Sequence, residues 1–381
     1  MRTDVRVMNT SYLGGEWYID EMKTRANDAA PVPFTLPRSK YAFVNDMVRV
    51  IPKVERPVDI REAMDFFRSE DPRTKVPLVD GTTIDYLPAQ RLALPVNKDN
   101  AIAAGIVKEE DRDLMVDTVY LNLRRGVLDK SELMVIDLLS NFDWKRPIHF
   151  TQVYILQNLG LTDYLQFDGY SYRLVPILTP YDRRVGEIGR IDPDVIYPLL
   201  METFRYGNVS DPRVYVDNFI QYNLMASGAR EAFARAAKAF LRRGGAGDRD
   251  KAVALLDAGL EKMPPAQIRY TFSNTFPFLE AYYAAGEMEK GDALLLSYAE
   301  NLMQYLDYYL AFEGVQGDMV SGLIDDKLDE LGQIYLLAGY AGRRDAVARL
   351  NDYYRTLGAT DEDLLHVDAP GEATDSLLPI P

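Results

Sequence analysis

The sequence holds two histidines, His149 and His366, and no cysteine. Thiol nucleophiles, disulfides, iron–sulfur clusters and thiolate zinc sites are therefore excluded. A Ser-His-Asp triad would have to use one of those two imidazoles. His149 stands between Ile148 and Phe150, a setting that fits a hydrogen-bonded core or edge histidine better than a general base. His366 falls in the tail and is the weaker of the two. Carboxylates offer more. Asp192-Pro193-Asp194 has the spacing that can hold a divalent cation, but the proline favours a helix-start turn capped by Asp192. Asp80/Asp85 and Asp163/Asp168 lie near turns. A glycosidase needs two carboxylates about 5–10 Å apart, and polar turn residues are the simpler account of both pairs. Arg146, within Lys145-Arg146-Pro147, and Arg173 could capture phosphate or carboxylate in bidentate fashion. Ion pairing with the abundant Asp and Glu is the plainer reading. Gly244-Gly245-Ala246-Gly247 lacks the Lys-Ser/Thr of a phosphate loop and reads as a turn between helices. No metal or cofactor is expected, and a hydrolase using the Asp pairs would require the two carboxyl groups to face each other in a pocket.

The elements that must position these groups change character along the chain. Val5, Val7 and Met8 read as a buried strand, and Trp17–Arg25 as a helix. Asp59 caps a helix to Ser69 with Ile60, Ala63, Met64 and Phe67 on one face. Strand-like segments flank Asp80-Gly81. Asp129–Leu139 is a helix with a polar start, followed by a turn at 141–147 and the strand Ile148-His149-Phe150. Two extended stretches surround Asp168-Gly169. Past about residue 212 the pattern is helical: 230–243, 250–263, 278–285, 291–312, 323–339 and 344–356. Leu331, Gly332 and Tyr335, then Ala346, Leu350 and Tyr353, match a tetratricopeptide unit, and Ala252, Leu256, Gly259 and Pro264 match its second helix. A plain helical bundle is the alternative. The expected fold is α/β, a small mixed or parallel sheet with helices over 1–205, then an all-α tetratricopeptide-like repeat domain over 206–358 and a flexible tail over 359–381.

Composition narrows the partners. The 381 residues carry a formal net charge of −15, which disfavours a phosphate backbone or anionic lipid and is explained by solubility. Nucleic acid is not expected. No run of about 20 apolar residues is present. Tyrosine, at 25 residues against 2 tryptophans, is the one compositional anomaly. Repeat packing accounts for those of the helical half, which leaves the Tyr164–Tyr172 segment for surface recognition.

Three ordered blocks carry a resemblance. The first is Arg2-Thr3-Asp4-Val5-Arg6-Val7-Met8-Asn9 with Trp17-Tyr18-Ile19-Asp20-Glu21-Met22-Lys23. The second is Asn141-Phe142-Asp143-Trp144-Lys145-Arg146-Pro147-Ile148-His149-Phe150. The third runs from Gly160 through Gln166 to Gly169 and on to Tyr172-Arg173-Leu174-Val175-Pro176. Together they resemble the C-terminal soluble region of a bacterial membrane family, protein O-mannosyltransferase-like glycosyltransferases long catalogued as a domain of unknown function. The resemblance implies an upstream bundle of membrane helices that carries the catalytic residues, so none is transferred to this chain. It implies an inner-membrane-anchored protein whose present region is periplasmic, an accessory and acceptor-binding domain. Its partners would be the upstream membrane part and a protein or glycan acceptor. The chain accordingly reads as the interior of a longer gene product. The motif residues Trp17, Asp20, Trp144, Lys145, Arg146, His149, Gln166, Tyr172 and Arg173 are the candidate binding set. The alternative is a tetratricopeptide-like periplasmic scaffold with no role in sugar transfer.

Overall fold

A computed structural model describes residues 3–42, 47–181, 187–221 and 228–365; His366 lies outside them. The chain divides into two compact units, Met1–Phe167 with Ser171–Arg190, and Asp168–Tyr170 with Ile191–Pro381. The first is mixed α/β and the second is helical.

Three short sheets, rather than a single layer, build the first unit. In one, β1 (Met47–Val50) lies between β4 (Thr83–Leu87), parallel to it, and β7 (Val127–Asp129), antiparallel; β3 (Lys75–Pro77) closes the edge on β4. In the second, β5 (Arg91–Pro95) joins β2 (Val58–Asp59) to β6 (Thr118–Asn122). In the third, β10 (Tyr172–Leu174) lies between β8 (His149–Phe150) and β9 (Leu165–Phe167). Strands of two to five residues are too short to form one continuous layer. Alternation still sets their faces: Leu92 and Leu94 of β5 point inward, as do Val119 and Leu121 of β6.

Helices α1 (Glu16–Met22), α2 (Ile60–Arg68), α3 (Lys98–Ala103), α4 (Lys130–Ser140) and α5 (Tyr154–Leu159) complete the unit. Asp59 accepts the Arg61 N–H, and Ile60, Ala63, Met64 and Phe67 are buried, so α2 follows its sequence pattern closely. Asp129 and Glu132 form a reciprocal capping box on α4. Helix α4 is buried almost all round, with Leu133, Ile136 and Leu139 in the core. The first expected strand is not formed. Residues 3–9 take no strand pairing, and Val7 is 80% exposed. An alternation of three residues buries nothing without a neighbour to pair with. The β9–β10 turn does need glycine. Gly169 has φ +92°, and a Cβ there would meet Phe204 Cε2 at 2.8 Å.

The second unit begins with α6 (Pro193–Pro198), capped by Asp192 through the Asp194 N–H. There follow α7 (Glu231–Arg243), α8 (Asp248–Lys262), α9 (Phe272–Ala284), α10 (Met288–Leu310), α11 (Gly314–Tyr340) and α12 (Arg344–Thr356). Consecutive helices pack on one another, α7 on α8, α9 on α10, α10 on α11 and α11 on α12. Helix α9 starts earlier than the pattern implies, because a Thr271–Asn274 capping box outweighs Pro277 within it. Helices α10 and α11 run 23 and 27 residues, lengths that depart from a repeat of about 34 residues for a whole helix pair. Among the described residues the unit is helical, with helices of unequal length.

Two buried charged groups set this unit's joints. Arg230 donates to the carbonyls of Met263 and Ile268 and to Asn274 Oδ1, so a cation closes the C-terminal end of α8. Burial lowers its pKa to about 10. Asp248 accepts from Arg243 Nε at 2.8 Å, Arg243 Nη2 at 2.7 Å and the Gly245 N–H at 2.9 Å. Those bonds, the Arg243 pair first, hold its pKa at about 2. A carboxyl whose pKa is lower folded than unfolded stabilises above its unfolded pKa and loses that stabilisation as pH falls through the folded one. The urea midpoint of the helical unit is therefore expected to fall between about pH 4 and pH 2. Asp248→Asn should flatten that limb; an unchanged acid limb in the variant would assign it to other carboxylates.

Candidate functional site

The candidate residues separate into three groups. Trp17 and Asp20 lie on α1. Three residues apart, they share one side of the helix. Asp20 Oδ1 accepts the Tyr41 hydroxyl at 2.6 Å, and its other oxygen meets the Arg38 guanidinium. Behind them Lys23 Nζ donates to Tyr41 Oη at 2.9 Å and to the Leu36 carbonyl at 2.7 Å. Lys23 donates to Tyr41 and Tyr41 to Asp20, so the chain runs in one direction; burial lowers the Lys23 pKa and raises that of Tyr41. Trp17 is 61% exposed and Tyr12 54%, with ring centroids 6.2 Å apart and planes at 44°. Tyr18 supports both rings edge-on at 5.4–5.6 Å, and its hydroxyl accepts the Asn9 N–H.

The second group lies on the turn after α4. Trp144 is fully buried at φ +64°, its indole N–H donates to the Pro95 carbonyl at 2.8 Å, and its ring lies 4.6 Å from Phe142. The indole thus packs in the core rather than on the surface. Arg146 Nη1 donates to the Ala30 carbonyl at 3.3 Å, and Lys145 pairs with Asp143 at 2.7 Å.

The third group lies across one sheet. His149, Arg173 and Gln166 are directly opposite one another on β8, β10 and β9, so they form a single row on one face. The row runs from exposed His149 to buried Gln166. Ser171 Oγ lies 3.2 Å from His149 Nδ1, and Arg173 Nη1 donates to the Gly105 carbonyl at 2.7 Å. Tyr172 faces the other way, 5.1 Å from Phe167. Of the tyrosines of this segment, Tyr164 is in the core, and Tyr170 and Tyr172 are half-buried, Tyr170 stacking on Phe204 at 4.8 Å. Tyr12, which sequence reasoning passed over, is the exposed tyrosine beside a candidate residue; its only signal was its spacing from Trp17.

Three of the carboxylates singled out by spacing are engaged. Asp85 receives the Lys40 and Lys75 ammonium groups, Asp80 closes a turn on Thr82, and Asp194 pairs with Arg243. Among the described residues no three His, Asp or Glu side chains gather as a metal set.

Fold and site together define a mixed α/β unit followed by a helical unit, with an exposed aromatic and carboxylate face on the first. Residues 1–195 match the family model of TMEM260-associated domain 2, and the chain belongs to that family, whose domain is associated with a membrane-protein family. The match carries that association, not an activity. No curated protein matches the chain, and no solved structure does. Among the described residues no helix is long and apolar enough to cross a membrane.

Proposed function

We propose that this chain is the extracytoplasmic, acceptor-binding region of a multi-spanning membrane glycosyltransferase of the protein O-mannosyltransferase-like kind, inner-membrane-anchored and periplasmic, with catalysis in the membrane part. The observation that carries the reading is the α1 face. An exposed Trp17–Tyr12 pair beside a fixed carboxylate is costly to leave in water and suits recognition. The family's association with a membrane protein supports the placement. In the complete membrane protein, deleting residues 1–381 is expected to abolish transfer to the acceptor while donor turnover at the membrane persists. Equal transfer with and without the region contradicts the reading.

A second reading, a helical-repeat scaffold without a role in sugar transfer, draws on α11, where Val315, Met319 and Leu323 stand exposed at successive intervals of four. Recovery of assembly partners dependent on those three side chains, with transfer unaffected by the deletion, would favour it.

A further inference from the structure

We infer that the α1 face is a carbohydrate site, taking one pyranose ring of a neutral glycan on the free face of Trp17. This deepens the acceptor-binding reading and rests on it only for the biological role.

The geometry begins at Gly15. Its φ of −92° and ψ of 124° are open to any residue, so backbone conformation does not require glycine there. The indole does. A Cβ on Gly15 would meet Trp17 Nε1 at 2.9 Å and Cδ1 at 3.3 Å. The Trp17 ring therefore lies close over the Gly15 backbone, with Tyr18 edge-on at 5.4 Å, and is 61% exposed. Its π face carries the negative part of the quadrupole and is apolar. That surface matches the C–H side of a pyranose.

The rim matches the hydroxyls. Asp20 accepts one hydrogen bond from Tyr41 and contacts Arg38, and a carboxylate has about four acceptor positions, so it can take sugar O–H donors. The Arg38 side chain is 52% exposed and offers N–H donors to sugar oxygens. Asp20 and Glu16 beside it argue against an anionic lipid surface. Tyr12, tilted 44° to Trp17, closes one side of the platform.

The two tryptophans make this readable in the intact chain. Trp144 is fully buried, so an added quencher such as acrylamide reports on Trp17. Linear hexaoses of glucose, mannose and galactose are titrated against acrylamide quenching and, in parallel, by calorimetry. At least one is expected to shield Trp17 saturably. Calorimetric affinity should drop at least about tenfold in Trp17→Ala, and Gly15→Ala and Asp20→Asn should each weaken it. The unchanged near-ultraviolet dichroism of Trp144 certifies the fold of each variant. Absence of saturable shielding by every hexaose overturns the inference. So does shielding by a proline-rich decapeptide or by phosphatidylglycerol vesicles alone, or binding unaffected by Trp17→Ala. Hexaose binding combined with normal acceptor transfer by the Trp17→Ala membrane protein would retain the sugar site and remove its acceptor role. Loss of transfer on deletion without hexaose binding would do the reverse.

Discussion

Asp137→Ala is expected to destabilise the α/β unit by about 3–5 kcal/mol, a large share of the roughly 5–15 kcal/mol that holds an ordinary domain folded. Asp137 is fully buried in α4 and accepts four hydrogen bonds: the Thr35 N–H at 2.7 Å, the Leu36 N–H at 3.1 Å, the Thr35 hydroxyl at 2.9 Å and Arg68 Nη2 at 2.8 Å. Removing the carboxylate strands two backbone donors and leaves the Arg68 guanidinium, still paired with Asp65, without its buried partner, and the cost lies in those groups more than in the lost pair. The double variant Asp137→Ala/Arg68→Met should therefore be more stable than the Asp137→Ala single variant in urea unfolding. Additive losses would show that the two side chains do not act as a pair.

Trp144→Ala should cost about 3–5 kcal/mol through the cavity and the lost bond to the Pro95 carbonyl. The second substitution at this position has an unusual sign. Trp144 sits at φ +64°, where a non-glycine residue pays about 1–2 kcal/mol. Trp144→Gly is accordingly expected to be more stable than Trp144→Ala by about 1 kcal/mol, the reverse of the usual order. Alanine outlasting glycine in chemical denaturation would mean that the backbone moves out of the left-handed region once the indole is gone.

These two residues also mark how far the fold was legible. Helices α2, α4, α7 and α12 were readable because caps and apolar spacing are local signals. Asp137 is visible in the sequence as one acid within the run Leu133–Leu139, but its partners lie 69 and 102 residues away, and no periodicity points to them. The burial of Trp144 is not legible in the sequence, where an aromatic beside Lys145 and Arg146 carries no mark of it. Its role follows from Pro95, which a different strand supplies. The row of His149, Arg173 and Gln166 depends on register across three strands, and register is set by pairing rather than by composition. Trp17 and Asp20 were recoverable, since helical spacing alone places them on one side. The clearance at Gly15 was not.

The most direct measurement is steady-state sugar transfer by the complete membrane protein carrying Trp17→Ala, followed as a function of acceptor concentration. Acceptor binding at the α1 face predicts a KM for acceptor raised at least about tenfold with kcat little changed, the signature of lost uniform binding. An unchanged KM in a correctly folded variant would contradict it.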